Sequence, residues 1–304
     1  MQVPHIPVLV DEVLEIFDGL DEGLFVDCTL GFGGHSKAIL QKHSNLRLLA
    51  CDQDEVALDF SMNILAHFKN RCKLVKSNFK DILSFCKNDD VRGILADIGL
   101  SSLQLDDDER GFSLNSTRLD MRMDKQNELS AFEVVNFYPQ ERLECIFKEN
   151  AELTNSKFIA QKICEFRAKK PISSAKELSQ IIGRAKVGQR SVSQATLVFQ
   201  ALRIEVNQEL SVLKEFLEKL VLFKPKNCIV AIICFHSLED VLVKNAFKKW
   251  SRDCICDKNA IKCECGKNHS LGKILTKKPI VPSLEEIKSN SRSSCAKMRV
   301  FYFK

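Results

Sequence analysis

The feature that most constrains this chain is an alternation in its first hundred residues. Short β-rich apolar runs are each followed by a stretch with helical spacing. Leu24-Phe25-Val26-Asp27-Cys28-Thr29 reads as a buried strand, Gly31-Phe32-Gly33-Gly34 as the turn after it, and a helix starts at Ser36. Arg47 to Asp52 is a second strand, Glu55 to Phe68 a helix, Lys73 to Ser77 a third strand and Arg92 to Asp97 a fourth. Strands separated by helices must cross over to pair in parallel, and such crossovers are right-handed. The expected fold class is therefore α/β, built on a parallel sheet.

The alternation then stops. The next convincing core strand, Cys228 to Cys234, begins about 130 residues after Asp97, whereas a crossover needs only a dozen or so. The helix Glu209 to Phe223 can supply that crossover, which leaves a helical insert over 106–199 between two halves of one domain, 1–105 and 200–304. Within the insert, Leu143, Ile146 and Phe147, then Phe158, Ile159, Ile163 and Phe166, recur at helical spacing. Ser174 and Glu177 make a capping box before Leu178, Ile181 and Ile182. Met298 to Phe303 alternates as a closing edge strand would.

Composition narrows the class further. With 45% hydrophobic and 28% charged residues, the 304-residue chain is that of an ordinary globular protein, neither disordered nor membrane-embedded. The start, Met1-Gln2-Val3-Pro4-His5, lacks a basic region followed by an apolar one, so a cytoplasmic location is expected. Thirteen cysteines on such a chain are expected to be reduced, and Cys28, Cys51, Cys164, Cys228 and Cys234, set in apolar runs, to be core residues. Charge is unevenly spread: residues 157–203 hold ten Lys/Arg against two Asp/Glu, and 241–304 fifteen against five. Basic segments on an acidic body suit a polyanion partner, and solvated helical faces are the competing reading.

The glycine loop follows a strand and opens a helix, the place where doubly wound folds hold nucleotide-like ligands. Glycines let a ligand approach the backbone, and the helix start offers N–H groups to its polar end. Asp52, ending the second strand, is placed to accept hydrogen bonds from ribose hydroxyls. The loop runs G-x-G-G rather than G-x-G-x-x-G, which argues against a pyrophosphate. Asp97 and, after the fifth strand, His236 stand at further strand ends, where α/β enzymes place reacting groups. For His236 a helix-capping role is the alternative, and for Phe79, a stacking wall after the third strand, a core role.

These residues carry a resemblance over nearly the whole length of the chain. His5-Ile6-Pro7-Val8-Leu9, Asp27 through Ser36, Asp97 through Asp106, Arg110-Gly111-Phe112-Ser113, Leu119 through Asp124, Phe199 through Ile204 and Phe235 through Asp240, in that order, resemble the bacterial 16S ribosomal RNA cytosine-N4 methyltransferases. The resemblance implies a Rossmann-like methyltransferase sheet with an inserted RNA-binding helical domain. It also implies S-adenosyl-L-methionine held by Gly33, Gly34, His35, Asp52, Phe79, Asp97 and Gln104, and a cytidine of 16S rRNA in the decoding region as substrate. Departures occur at Val241, where Arg is common, and at Ser193 to Val198, where His-Pro-Ala-Thr-Arg is usual. They bear on RNA contacts rather than on the cofactor.

Cytosine N4 is a poor nucleophile because its lone pair is delocalised, so catalysis requires in-line positioning and acceptors for the amine hydrogens. Asp97 is the expected acceptor, with Ser101 and His236 behind it. Cys254-x-Cys256 and Cys263-x-Cys265, with His269 nearby, have the residue types of a zinc site, but their spacing is less diagnostic than C-x-x-C and no metal ligand is assigned from sequence. Two rivals stand beside the methyltransferase: a nicotinamide-dependent oxidoreductase and a non-catalytic ribosome-assembly factor on the same scaffold. A small-subunit partner is expected, no membrane is, and the sequence leaves monomer and homodimer open.

Overall fold

The computed structural model describes residues 7–183, 185–186, 192–257 and 262–304. These form two compact units, Met1–Gly99 with Val212–Lys304, and Leu100–Ser211. The second unit begins earlier and ends later than the 106–199 insert expected from sequence.

The first unit is an α/β domain around one seven-stranded sheet. In chain order the strands are β1 Gly23–Asp27, β2 Leu46–Asp52, β3 Cys72–Lys76, β4 Val91–Asp97, β5 Cys228–Cys234, β6 Gly272–Ile274 and β7 Lys297–Phe303. Their order across the sheet is β3-β2-β1-β4-β5-β7-β6. The first five strands pair in parallel, and β7 runs antiparallel to both β5 and β6. Because β2 and β4 lie on opposite sides of β1, the chain reverses its direction of travel across the sheet there. Such a switch point opens a crevice at the carboxyl ends of the two central strands. The parallel α/β sheet expected from the alternation is present in β1 to β5, and the whole is the Rossmann-like sheet that the resemblance implies.

One expectation needs correcting. The strand Lys297–Phe303 lies inside the sheet, because the three-residue strand β6 adds on beyond it. Met298, Val300, Phe301 and Phe303 are buried, so the polar positions of the segment do not mark a solvent face. Arg299 is buried too, its guanidinium donating to both oxygens of Asp240 at 2.5 and 3.0 Å. That pairing lets a charged residue sit in a central strand. The strand β6 leaves no legible signal in the sequence: three residues are too few to show a period.

The sheet is covered on both faces. One apolar layer gathers Val26, Ile94, Val230, Phe216, Phe247 and Trp250, the other Phe17, Phe25, Ile39, Leu48 and Met298. Cys51, Cys228 and Cys234 are buried in these strands and Cys28 just after β1, and burial pushes each thiol above its ordinary range. They are inert core residues. Cys164 is half-buried, on a helix of the other unit.

The second unit is helical, with helices Ala131–Phe137, Gln140–Ala151, Ser156–Arg167, Ala175–Ile182 and Gln194–Asn207 around their own apolar core. Leu143, Ile146, Phe147, Ile159 and Ile163 point into it as their spacing predicts, while Phe158 is exposed. Ser174 caps its helix by accepting the Glu177 N–H at 3.1 Å, whereas the Glu177 carboxylate accepts from Ser173 at 3.1 Å, one residue before the position a closed box would use. Among the described residues no helix is long and apolar enough to cross a membrane.

Candidate active site

The site of the first unit is built from the carboxyl ends of β1, β2 and β4. Beyond β1 the chain needs a sharp reversal into the helix Gly34–Lys42, and Gly31 and Gly33 make it with φ of 50° and 74°, a region costly for residues with a Cβ. The turn closes through the Gly33 N–H on the Leu30 carbonyl at 2.8 Å. Gly33 is also the residue at which the helix begins, and it has no side chain with which to cap the first-turn N–H groups. Those donors, at the positive end of the helix, suit the polar end of a ligand. Gly34 is needed for a different reason: a Cβ there would lie 2.4 Å from Pro7 Cγ.

Asp52 ties this loop to β2. One carboxylate oxygen accepts the Gly31 N–H at 2.8 Å and the other the Asp54 N–H at 2.9 Å. Burial pushes its carboxyl up to about 6; the two backbone donors pull down against this, and Asp54 and Asp27 add to the rise. Each carboxylate oxygen has two lone pairs, so one hydrogen bond apiece leaves acceptor capacity for hydroxyls. The arrangement fits a ribose-bearing ligand, and Asp52 also orders the loop that would hold the rest of it.

Asp97, ending β4, is held over β1 by its N–H on Thr29 Oγ1 at 2.7 Å, and its carboxylate accepts from the Gly99 N–H at 3.3 Å. His35 stands between loop and carboxylate. Its Nε2 meets the Val8 carbonyl at 2.9 Å and its Nδ1 lies 4.0 Å from Asp97 Oδ2. Gly33, Gly34, His35, Asp52 and Asp97 thus converge on one switch point. Phe79 is farther along: β3 is followed by Asn78, which reaches Gln53 at 3.2 Å, and the Phe79 ring packs edge-on to Phe216 at 5.4 Å. Half-buried, it serves the core with part of its surface and leaves part to solvent.

Sequence reasoning passed over several residues that hold this site. Asp27, fully buried at the end of β1, accepts the Ser36 hydroxyl at 2.6 Å and the Thr29 N–H at 3.2 Å, so it braces both ends of the loop; burial raises its carboxyl above the usual range. Ser61 donates its hydroxyl to the Gly31 carbonyl at 2.7 Å. An acidic residue closing a buried strand just before a glycine loop was the available signal for Asp27. Ser61, thirty residues on in a helix, had none.

His236 is the N-cap of the helix Ser237–Trp250. Its Nδ1 accepts the Glu239 N–H at 3.5 Å, while the Glu239 carboxylate accepts from the Phe235 and His236 N–H groups at 2.8 and 3.1 Å. The capping alternative is therefore what the ring is doing in this structure. Ser101 and Gln104 belong to the helical unit, where they cap a short helix reciprocally: the Ser101 N–H donates to Gln104 Oε1 at 3.1 Å and the Gln104 N–H to Ser101 Oγ at 3.2 Å.

The basic segment 157–203 divides in two. Lys157, Lys162, Lys169, Lys170, Lys176 and Lys186 are exposed. Arg167 instead donates to the Val135 and Tyr138 carbonyls at 2.5 Å each, and Arg203 is half-buried against both oxygens of Glu209 at 2.8 and 2.9 Å. Arg184 and Arg190 lie outside the described residues.

The chain is similar over its length to known proteins. The chain is 62% identical over 305 residues to a Campylobacter lari protein named ribosomal RNA small subunit methyltransferase H, with all of both chains covered. It is 60% identical over 304 residues to the Campylobacter jejuni protein of that name, covering 100% of this chain and 98% of that one. A Campylobacter fetus relative of the same name is 56% identical, covering 99% and 98%. The model of the MraW methylase family matches residues 2–304. The chain, with its switch-point glycine loop, belongs to the MraW methylase family.

Proposed function

We propose that the protein transfers the methyl group of S-adenosylmethionine to the N4 amine of a cytidine in the decoding region of 16S rRNA, in the cytoplasm. The observation that carries the methyl-transfer reading is the convergence of the glycine loop, Asp52 and Asp97 on the β1/β4 switch point. The names of the relatives support ribosomal RNA of the small subunit as substrate. The resemblance carried by all of the stretches named above, taken together and in order, supports cytosine N4 as the acceptor.

When bound, S-adenosylmethionine supplies a methyl group already activated by its sulfonium, so the protein's task is chiefly orientation. In this reading the N–H groups at the start of the helix Gly34–Lys42 meet the polar end of the ligand, Asp52 accepts from its ribose, and Phe79 flanks its base. Asp97 accepts a hydrogen of the cytosine amine as positive charge develops on that nitrogen. His35, anchored by its Nε2 on the Val8 carbonyl at 2.9 Å and 4.0 Å from Asp97, belongs in this reading with the residues that hold the cofactor. Ser101 and His236 are secondary acceptors, and each would have to leave its helix cap to serve. The exposed lysines of the helical unit grip RNA phosphates.

The direct test is incubation of the purified protein with S-adenosylmethionine and small-subunit particles or bare 16S rRNA, followed by nucleoside analysis. N4-methylcytidine is the expected product. A different methylated nucleoside would displace the N4 assignment, and cofactor binding without any methylation would favour the assembly-factor reading.

A further inference from the structure

A second cluster lies away from the crevice elements, in the loop that joins the helix Ser237–Trp250 to β6. The sulfurs of Cys254, Cys256, Cys263 and Cys265 all lie within 4.8 Å of one another. Cys254 and Cys263 are 3.5 Å apart, Cys263 and Cys265 3.5 Å, and Cys254 and Cys265 3.7 Å. A disulfide would bring two of them to about 2.05 Å. Four sulfurs bound tetrahedrally at about 2.3 Å from one zinc ion stand about 3.8 Å from each other, close to what is seen here.

The backbone around them has a matching organisation. The Ile255 N–H points to Cys265 Sγ at 3.4 Å, and the Glu264 N–H to Cys256 Sγ at 3.4 Å. In each case the residue between two cysteines of one pair donates to the second cysteine of the other pair, so the two C-x-C segments are related by an approximate two-fold. N–H donors aimed at sulfur stabilise thiolate charge, as ligated cysteines require. The loop is tied at its base by the His269 N–H on the Asp253 carbonyl at 3.2 Å and the Leu271 N–H on the Trp250 carbonyl at 2.8 Å. His269, the fifth candidate from sequence, is occupied: its Nε2 lies 2.7 Å from the Cys265 carbonyl.

We propose that Cys254, Cys256, Cys263 and Cys265 form a structural tetrathiolate zinc site that fastens the loop between the helix Ser237–Trp250 and β6. Four protein sulfurs fill a tetrahedral ion completely and leave no position for substrate, so the site is structural and takes no part in methyl transfer. Binding makes four zinc–sulfur bonds and releases to water the protons the thiols held, with no change of oxidation state.

The test uses tag-free full-length protein, purified under reducing conditions from zinc-supplemented cells and assayed for metal by mass spectrometry. About one zinc per chain is expected in the wild type and in a Cys295→Ser control, with loss of nearly all of it in a Cys256→Ser/Cys265→Ser double variant. Should the double variant fail to fold, cobalt titration of stripped wild-type protein decides: thiolate-to-cobalt charge-transfer bands and the intense visible bands of tetrahedral cobalt should saturate at one equivalent. Substoichiometric zinc in the reduced wild type, zinc retained by the double variant, cobalt binding without thiolate bands, or iron in place of zinc would each overturn the proposal.

Discussion

At the level of single residues, Asp52 and Asp97 are two strand-end carboxylates in different settings. Asp52 carries a carboxyl raised to about 6, chiefly by burial. A carboxylate raised above its unfolded value of about 3.9 favours the folded state at low pH, and that contribution is lost as pH rises from about 4 through 6. A ligand that donates hydroxyls to the charged form reverses the preference. Cofactor affinity is therefore expected to weaken below pH 6, by up to about tenfold per unit, and to be weak and nearly flat in Asp52→Asn; calorimetry from pH 5 to 7.5 checks this. Because Asp52 also receives the Gly31 N–H, the substitution should disturb the loop as well as the ribose contact. For Asp97→Asn we expect turnover to fall by about 10²-fold, the scale of one missing transition-state hydrogen-bonding group, in single-turnover methylation. Full turnover with unchanged cofactor affinity would remove Asp97 from the mechanism. The positions of Asp52 and Asp97 were legible because strand ends can be read from hydrophobic runs. Asp27 and Ser61 act on the loop, and Thr29 on Asp97, through contacts set by folding, and Ser61 has no mark in its local sequence.

At the level of elements, the glycine loop is the part most sensitive to small changes. Gly34→Ala should force the helix Gly34–Lys42 away from the rigid ring of Pro7, costing about 1–3 kcal/mol of stability and lowering cofactor affinity, both measurable by thermal unfolding with and without ligand. Pro7 belongs to a segment under some strain, since Leu9 takes φ of 56° while its N–H donates to Glu286 at 2.9 Å. The same reasoning explains stretches that sequence singled out without a role. Arg110 is buried with its guanidinium on the Arg122 and Met123 carbonyls, the Met123 N–H reaches Asn207, and Asn207 returns to the Met121 carbonyl. The segments around Arg110, Leu119 to Asp124 and the helix ending at Asn207 are therefore one interlocked piece of the helical unit. Helix starts such as Ser174 could be read locally because a cap is a matter of three or four residues. The short strand β6 and the interior place of β7 could not, because pairing order is decided by partners far away in the chain.

For the molecule as a whole, the proposed function assigns the methyl donor to the crevice of the sheet unit and RNA to the basic segment 157–203 of the helical unit, whose Lys/Arg and Asp/Glu balance over 100–211. Charge counting overstated the second part, because Arg167 and Arg203 are spent on internal contacts. The exposed lysines remain, and neutralising Lys157, Lys169 and Lys170 together should weaken RNA binding and flatten its salt dependence, by up to about 0.7 log-log units for each RNA phosphate the protein no longer neutralises, with cofactor affinity unchanged. A wild-type salt slope in that variant would move the RNA contact to the basic C-terminal segment. The central claim, methyl transfer to a cytidine N4 in 16S rRNA, is tested most directly by quantifying N4-methylcytidine in 16S rRNA from cells lacking this protein. The modification should be absent there, return on complementation with the wild type, and stay low with Asp97→Asn. Undiminished N4-methylcytidine in cells lacking the protein would contradict the account.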